Sequence, residues 1–178
     1  GAVMDGVDVG VPMVDQLAGH LIALHKQAYA GFGVINSQLS PSNVWPTQLH
    51  KTLKKSAKKW GGVSKQNDRY LKQALAACET IQTDEFIPMM PDLRWDLFLA
   101  LDGKLHALVD LDAFVLAPRE LDIVLLEYIL TAEHFNRFID VYSEHHSIPE
   151  INHVRPAYRL LLFYMQILGE VDIDEWMN

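Results

Sequence analysis

The sequence has little cysteine and no long apolar run, and both shortages narrow the class of protein. The single cysteine, Cys78, excludes a disulfide within the chain and is typical of a reducing compartment, which predicts a cytoplasmic protein. The most apolar stretch, residues 157–168, contains Arg159 and falls short of the roughly 20 apolar residues that span a membrane. We therefore expect no membrane partner.

Basic residues and nucleotide-binding motifs are also scarce. Lysine and arginine together number 15 against 23 aspartates and glutamates, which gives a formal net charge of -8 and argues against a nucleic-acid partner. No Gly-rich phosphate loop lies between a strand and a helix, and no Gly-x-Ser-x-Gly sequence offers a hydrolase nucleophile. No internal repeat or heptad run is found, which excludes solenoid and coiled-coil folds.

Amphipathic helical patterns fill most of the chain. Its 178 residues match the size of one domain. Apolar side chains recur at helical spacing over several stretches, and Pro, Ser or Gly often stands at their ends. The patterns predict helices at residues 12–29, 45–60, 118–130, 133–146 and 155–168, and one more that follows Ser64 and includes Cys78.

A pattern of period two occupies the middle of the chain. Leucines alternate with other residues over 97–101, and residues 105–109 form a compact apolar return strand. Asp102-Gly103 between them is typical of a two-residue hairpin turn. We expect a β-hairpin here, preceded by an irregular turn that carries Asp92 and followed by Asp110 at the end of the second strand.

Such a hairpin would set Asp92 and Asp110 near one of its ends. Two carboxylates held close together repel each other unless a positive charge, most simply a divalent cation, lies between them. The alternative is that both are turn residues whose carboxylates accept hydrogen bonds from local backbone amides.

The stretch from Met89 to Asp122 resembles the catalytic segment of the aminoglycoside phosphotransferases and their choline-kinase-type relatives, which share the protein-kinase architecture. In ungapped register, Asp92 takes the place of the family's catalytic aspartate and Asp110 that of its metal-binding aspartate. Asp112 matches an acidic residue usual two positions further on. Asp122 matches an aspartate at the start of the next helix, although a purely structural role at the positive end of the helix dipole is also open to it.

A second passage upstream supports the same register. Leu24-His25 followed by Gly31-Phe32-Gly33 is similar to a Leu-His and Gly-Phe-Gly passage of the family. His25 could be read as catalytic, but a histidine near a helix end is more simply explained as a packing or capping residue.

The chain also departs from the family pattern. Met90-Pro91 stands where the family has His-Gly, and Leu97 stands where it has a metal-binding asparagine. Asp96 could replace that asparagine only if the backbone shifted, because neighbouring side chains on a strand point to opposite faces. Pro118-Arg119 replaces the usual Asp-Pro pair.

The resemblance implies a mainly α fold with a small β-hairpin (α+β), equivalent to the larger C-terminal, substrate-binding lobe of a protein-kinase-like fold. Residues 1–178 would form this single domain without the smaller nucleotide-binding lobe. Residues 2–6 are similar to the strand and hinge that join the two lobes, although a plain N-terminal strand fits them equally well. The apolar surface that a small lobe covers would then be hidden by another contact, for which we expect self-association.

Two functions follow as expectations from the resemblance. The first is ATP-dependent phosphoryl transfer to a small-molecule hydroxyl, in which Asp92 orients the hydroxyl and accepts its proton while Asp110, with Asp96 or Asp112, holds Mg2+. The second is a non-catalytic domain derived from that fold, which binds a ligand or a protein. A third possibility is a fragment of an active enzyme.

Other polar groups of the sequence could form binding sites, but each also has a simpler explanation. Lysines on one face of the 45–60 helix could bind phosphate, although a solvated face is the more usual explanation, and Cys78 is most simply a core residue. An acidic end of the chain, with Asp172, Asp174 and Trp176, would suit a cationic substrate or a frayed terminus. Four histidines between residues 134 and 153 lack the spacing of a helical zinc motif: His134, His145, His146 and His153.

Overall fold

A computed structural model describes residues 2–3, 9–35, 37–60 and 65–178 of the chain. The predicted hinge residues Met4, Asp5 and Gly6 and the predicted cap Ser64 lie outside the described residues. The described part is mainly helical with small antiparallel sheets, which confirms the α+β class.

Helices form wherever the sequence shows helical spacing. The observed helices differ from the predicted ones mainly in where they end. The first was predicted to run to Tyr29 but ends at His25, because Tyr29 instead exchanges backbone hydrogen bonds with Phe86 at 2.8 and 2.9 Å. The helix bounds are α1 Val11–His25, α2 Trp45–Lys59, α3 Lys65–Cys78, α4 Arg119–Ile129, α5 Ala132–Ser143, α6 Arg155–Met165 and α7 Ile173–Met177.

The predicted hairpin is confirmed. Strand β5 (Phe98–Leu101) pairs with β6 (Lys104–Leu108), and β1 (Ala2–Val3) adds a third strand along β5. Asp102 and Gly103 both have positive φ, of 52° and 70°, which is the backbone that a tight two-residue turn requires. The first strand is shorter than predicted, since residues 95–97 form a 3-10 turn before it.

A second sheet was not predicted from the sequence. It contains β2 (Gly31–Val34), β3 (Ser40–Pro41), β4 (Phe86–Met89) and β7 (Val115–Pro118) in the order β3-β2-β7-β4. Strand β4 is buried at all four positions, so it shows no alternation of apolar and polar residues. Gly31 is required at its place, because a Cβ there would lie 2.7 Å from the backbone oxygen of Ser40.

Helix α4 lies at the centre of the core, and the other helices pack around it and the sheets. Its residues 123–126 are 0% exposed. Helix α1 packs against α5, while α2 and α3 pack against α6. An aromatic cluster of Phe32, Trp45 and Phe86 joins the four-stranded sheet to α2. None of the described helices is both long and apolar enough to cross a membrane.

Candidate functional site

The structure brings the segments that carry Asp92 and Asp110 to the same end of the hairpin. Phe98, the first residue of β5, pairs with Leu108, the last residue of β6, and the Val109 amide donates a hydrogen bond of 2.9 Å to the Leu97 oxygen. The chain therefore enters and leaves the hairpin side by side. Asp92 lies in the turn just before this entry, and Asp110 lies just after the exit.

Asp92 has a buried oxygen without a partner. The residue is half-buried in a turn that the Leu93 amide closes by donating to the Met90 oxygen at 3.0 Å. No described group donates a hydrogen bond to its Oδ1, although this atom is shielded from solvent. Buried polar atoms in folded proteins are almost always hydrogen-bonded, so an unpaired carboxylate oxygen indicates a place where a ligand can donate.

Asp110 is exposed and has a left-handed backbone, with φ of 60°. Aspartate tolerates this conformation better than most residues, but it still costs energy relative to an ordinary strand conformation. Asp102 in the hairpin turn has the same conformation, so it marks a turn and not by itself a functional site. At Asp110 this conformation turns the chain sharply at the end of the hairpin, directly before the 3-10 turn Leu111–Ala113.

Arg94 supplies a positive charge at this end of the hairpin, which the sequence analysis did not foresee. Its Nε and one Nη donate to the two carboxylate oxygens of Asp96 at 3.0 and 3.3 Å. This hydrogen-bonded pair raises the pKa of Arg94, and the negative charges of Asp92 and Asp110 raise it further. The same guanidinium lowers the pKa of Asp96. One arginine thus interacts with three carboxylates.

The remaining predicted metal ligands do not join Asp110 in a cluster. Asp96 is exposed, faces Arg94, and lies in a 3-10 turn rather than on the predicted strand, while Leu97 is buried and apolar. Asp112 is exposed in the next 3-10 turn. Over residues 9–35, 37–60 and 65–178, no group of three or more histidine, cysteine, aspartate or glutamate side chains is placed to hold a metal ion.

Asp122 and His25 form a second polar group, inside the core. His25 Nε2 lies 2.9 Å from Asp122 Oδ2, and its Nδ1 lies 2.6 Å from the Tyr142 hydroxyl. Burial raises the pKa of Tyr142, which keeps its hydroxyl protonated and able to donate to Nδ1. The contacts of Nε2 with the Asp122 carboxylate and of Nδ1 with the Tyr142 hydroxyl give all three groups a partner. Since His25 and Asp122 are each 1% exposed, this group links helices α1, α4 and α5 and does not face solvent.

The acidic end of the chain is occupied by internal contacts. Asp174 accepts hydrogen bonds from Arg69 and the Tyr70 hydroxyl, and Asp172 caps the N-terminus of α7 by accepting from two backbone amides. Trp176 is buried. These side chains pack the terminus against the domain, so a frayed end is the wrong description.

Neither models of protein families nor curated protein sequences provide a match for this chain. The candidate site is therefore defined by its own geometry, in which Asp92, Arg94 and Asp110 share one end of the hairpin.

Proposed function

We propose that this chain is a phosphotransferase-like substrate-binding lobe that binds a small polar molecule through Asp92. The observation that carries the proposal is the buried, unpaired Oδ1 of Asp92 at the end of the hairpin. A hydroxyl or ammonium group of a ligand would supply the missing donor. A charge-assisted hydrogen bond of this kind is stronger than a neutral one.

The charges around Asp92 favour a cationic ligand. Asp92, Asp96 and Asp110 carry three carboxylates against the single guanidinium of Arg94, a formal excess of two negative charges. A small amine or amino sugar that carries hydroxyl groups would match both the excess charge and the orphaned acceptor. Such compounds are also the acceptors that the family resemblance implies.

The possible metal ligands among the described residues do not fit a catalytic magnesium centre. Mg2+ demands near-octahedral oxygen ligands and is usually held by carboxylates together with phosphates and water. Asp96 is engaged by Arg94, Leu97 offers no ligand, and the exposed Asp110 and Asp112 belong to no group of three or more possible ligands among the described residues. The positive charge of Arg94 interacts with Asp92 and Asp110, and so partly balances the two carboxylates without a metal ion. This favours the non-catalytic form of the lobe.

A second candidate is ATP-dependent phosphoryl transfer to the bound molecule. The position of Asp92 favours it, since an unpaired carboxylate oxygen can orient an acceptor hydroxyl and take up its proton. The family resemblance implies that Mg2+ and ATP would be required for this activity.

Calorimetric titration with choline and glucosamine tests the binding proposal. We expect either or both to bind the wild-type chain and to lose at least about tenfold in affinity on Asp92→Asn, which keeps the shape of the side chain but removes its charge. Asp102→Asn is the matched control, because Asp102 is exposed and lies in the turn at the opposite end of the hairpin. Absence of binding by both compounds, or equal binding by Asp92→Asn, would show the proposal to be wrong. Phosphorylated product formed with Mg2+ and ATP, and lost in Asp92→Asn, would favour the second candidate.

The outer side of the hairpin is proposed as a contact with a second copy of the chain. Leu101 at the hairpin turn and Val109 just after β6 are 50% and 39% exposed, so both side chains are available for such a contact. We expect a dimer in light scattering that Leu101→Lys returns to a monomer. A wild-type monomer at high concentration would contradict this contact.

A further inference from the structure

A cavity of about 190 Å³ lies between helix α1, strand β4 and the hairpin. Met90 and Leu93, which flank the Asp92 turn, form part of its wall. Most of the lining is apolar, as the following side chains from all three elements show: Leu17, Leu21, Met89, Phe98, Leu105 and Leu108.

The size and lining of this cavity favour an apolar occupant. An apolar protein cavity of about 150 Å³ stays dry and accepts a molecule such as benzene. Water needs two to four polar partners, which such walls do not offer. An empty cavity also leaves the surrounding side chains without the dispersion contacts that a ligand of matching size would restore.

Polar groups are found at only a few points of the lining. His20 and His106 are both exposed and border the cavity on its solvent side. Neither forms a hydrogen bond with any residue that the structure describes, so their imidazoles are free to meet a polar group of a ligand. Asp122 also reaches the lining, but its Oδ2 is already bonded to His25.

We propose that this cavity is a binding site for a small, largely apolar molecule that has a single ring or two fused rings. A single hydrogen-bonding group on that molecule meets His20 or His106 at the opening, and the rings fill the space among the leucines and methionines. Pockets with this combination of apolar walls and few polar groups are the usual form of small-molecule sites. The site differs from that of Asp92 in ligand chemistry and does not depend on the carboxylates there.

Methyl NMR with indole as the probe tests this site. In protein labelled with 13C-methyl methionine, indole is expected to shift the Met89 and Met90 methyl signals in a saturable manner, with a dissociation constant of about 1 mM or tighter. Met165 and Met177 do not line the cavity, and their signals are expected to stay in place. Intermolecular NOEs between indole protons and the Met89 and Met90 methyls provide a measurement that needs no variant.

A matched pair of substitutions locates the binding. Ala107 lines the cavity, and Ala23 lies on the exposed face of α1 outside it. Ala107→Phe is expected to weaken indole binding at least about tenfold by filling the opening, whereas Ala23→Phe leaves it unchanged. Absence of saturable shifts and of NOEs in the wild type, or equal indole binding by Ala107→Phe, would overturn the proposal. Indole carries no charge and is titrated separately from choline and glucosamine, so failure of this site and failure of the Asp92 proposal are distinguishable.

Discussion

Buried polar side chains in this protein either have all their hydrogen-bond partners or lack one. The Asp122, His25 and Tyr142 group is fully hydrogen-bonded in the core, whereas Asp92 keeps one buried oxygen without a donor. Both aspartates appear in the family-like stretch of the sequence. Because their environments differ, Asp122 is a structural residue and Asp92 is a candidate binding residue.

Removal of Asp122 is expected to be strongly destabilising. Asp122→Ala leaves the buried His25 Nε2 without its partner, and an unsatisfied buried polar group costs about 1–3 kcal/mol. Urea unfolding is the measurement, and the midpoint should fall with an unchanged slope. Asp112→Ala, at an exposed position, is the control and should change stability by less than about 0.5 kcal/mol. Similar midpoints for the two variants would contradict the role given to the core group.

The Cys78 thiol is expected to be inert in the folded protein. Burial raises its pKa to about 11, so at pH 8 only about one part in a thousand is thiolate. The side chain is also 2% exposed. An aromatic disulfide reagent should therefore label Cys78 rapidly in urea and very slowly in native buffer. Rapid labelling of the native protein would show that α3 opens readily.

Helix α2 shows how an element can be stable in the fold while carrying unfavourable local charges. Its core face holds Trp45, Leu49, Leu53 and Ala57. The opposite face holds lysines at positions 51, 54, 55, 58 and 59, and none of them has a carboxylate partner within the described residues. Burial of the apolar face must therefore offset the repulsion among these lysines.

Charge reversal at the centre of this face is expected to stabilise the protein. Lys55→Glu turns the repulsive i, i+4 pairs with Lys51 and Lys59 into attractive ones, a gain of about 1 kcal/mol at low salt. Thermal unfolding at low and high salt is the measurement, and the gain should shrink as salt screens the charges.

The matched control for this reversal lies on the next helix. Lys72→Glu on α3 places a negative charge four residues after Asp68, so it replaces an attractive pair with a repulsive one. We expect a small loss of stability. A gain of equal size from both reversals would contradict the i, i+4 explanation, because a net charge more negative than -8 does not by itself stabilise the domain.

At the scale of the whole domain, the C-terminal helix α7 packs against the helices of the core. The Trp176 ring stacks on Tyr128 with centroids 3.9 Å apart, and its Nε1 donates to the Arg159 oxygen at 2.8 Å. The Tyr128 hydroxyl donates to the Trp176 oxygen at 2.8 Å. These contacts join α7 to α4 and α6, which supply much of the central core.

Trp176→Ala is expected to destabilise the whole domain by about 3–5 kcal/mol, because it removes a large buried aromatic side chain and its hydrogen bond. Urea unfolding followed by far-UV circular dichroism measures the change. Trp60→Ala is the control, since Trp60 is 40% exposed and should cost much less. Equal losses for the two variants would contradict the greater role given to the buried Trp176 contacts.

Local sequence patterns decided the helices and the hairpin. Helical spacing in α1, α2, α4, α5 and α6 and the Asp102-Gly103 turn act over a few residues, so the energy that favours each structure is already present in its own stretch. Asp92 and Asp110 could be placed at one end of the hairpin for the same reason. Their proposed roles remain predictions that the binding experiments decide.

Only the tertiary structure decided the four-stranded sheet, the Arg94 contacts and the cavity. Strands β4 and β7 are short, mostly buried and paired with segments far away in the chain. Their sequences therefore lack the alternation of apolar and polar residues that predicts a strand. Arg94 stands two positions from both Asp92 and Asp96, but its choice of partners depends on how the backbone turns between them. Contacts between distant segments set these features, because their energy arises only when the segments are brought together.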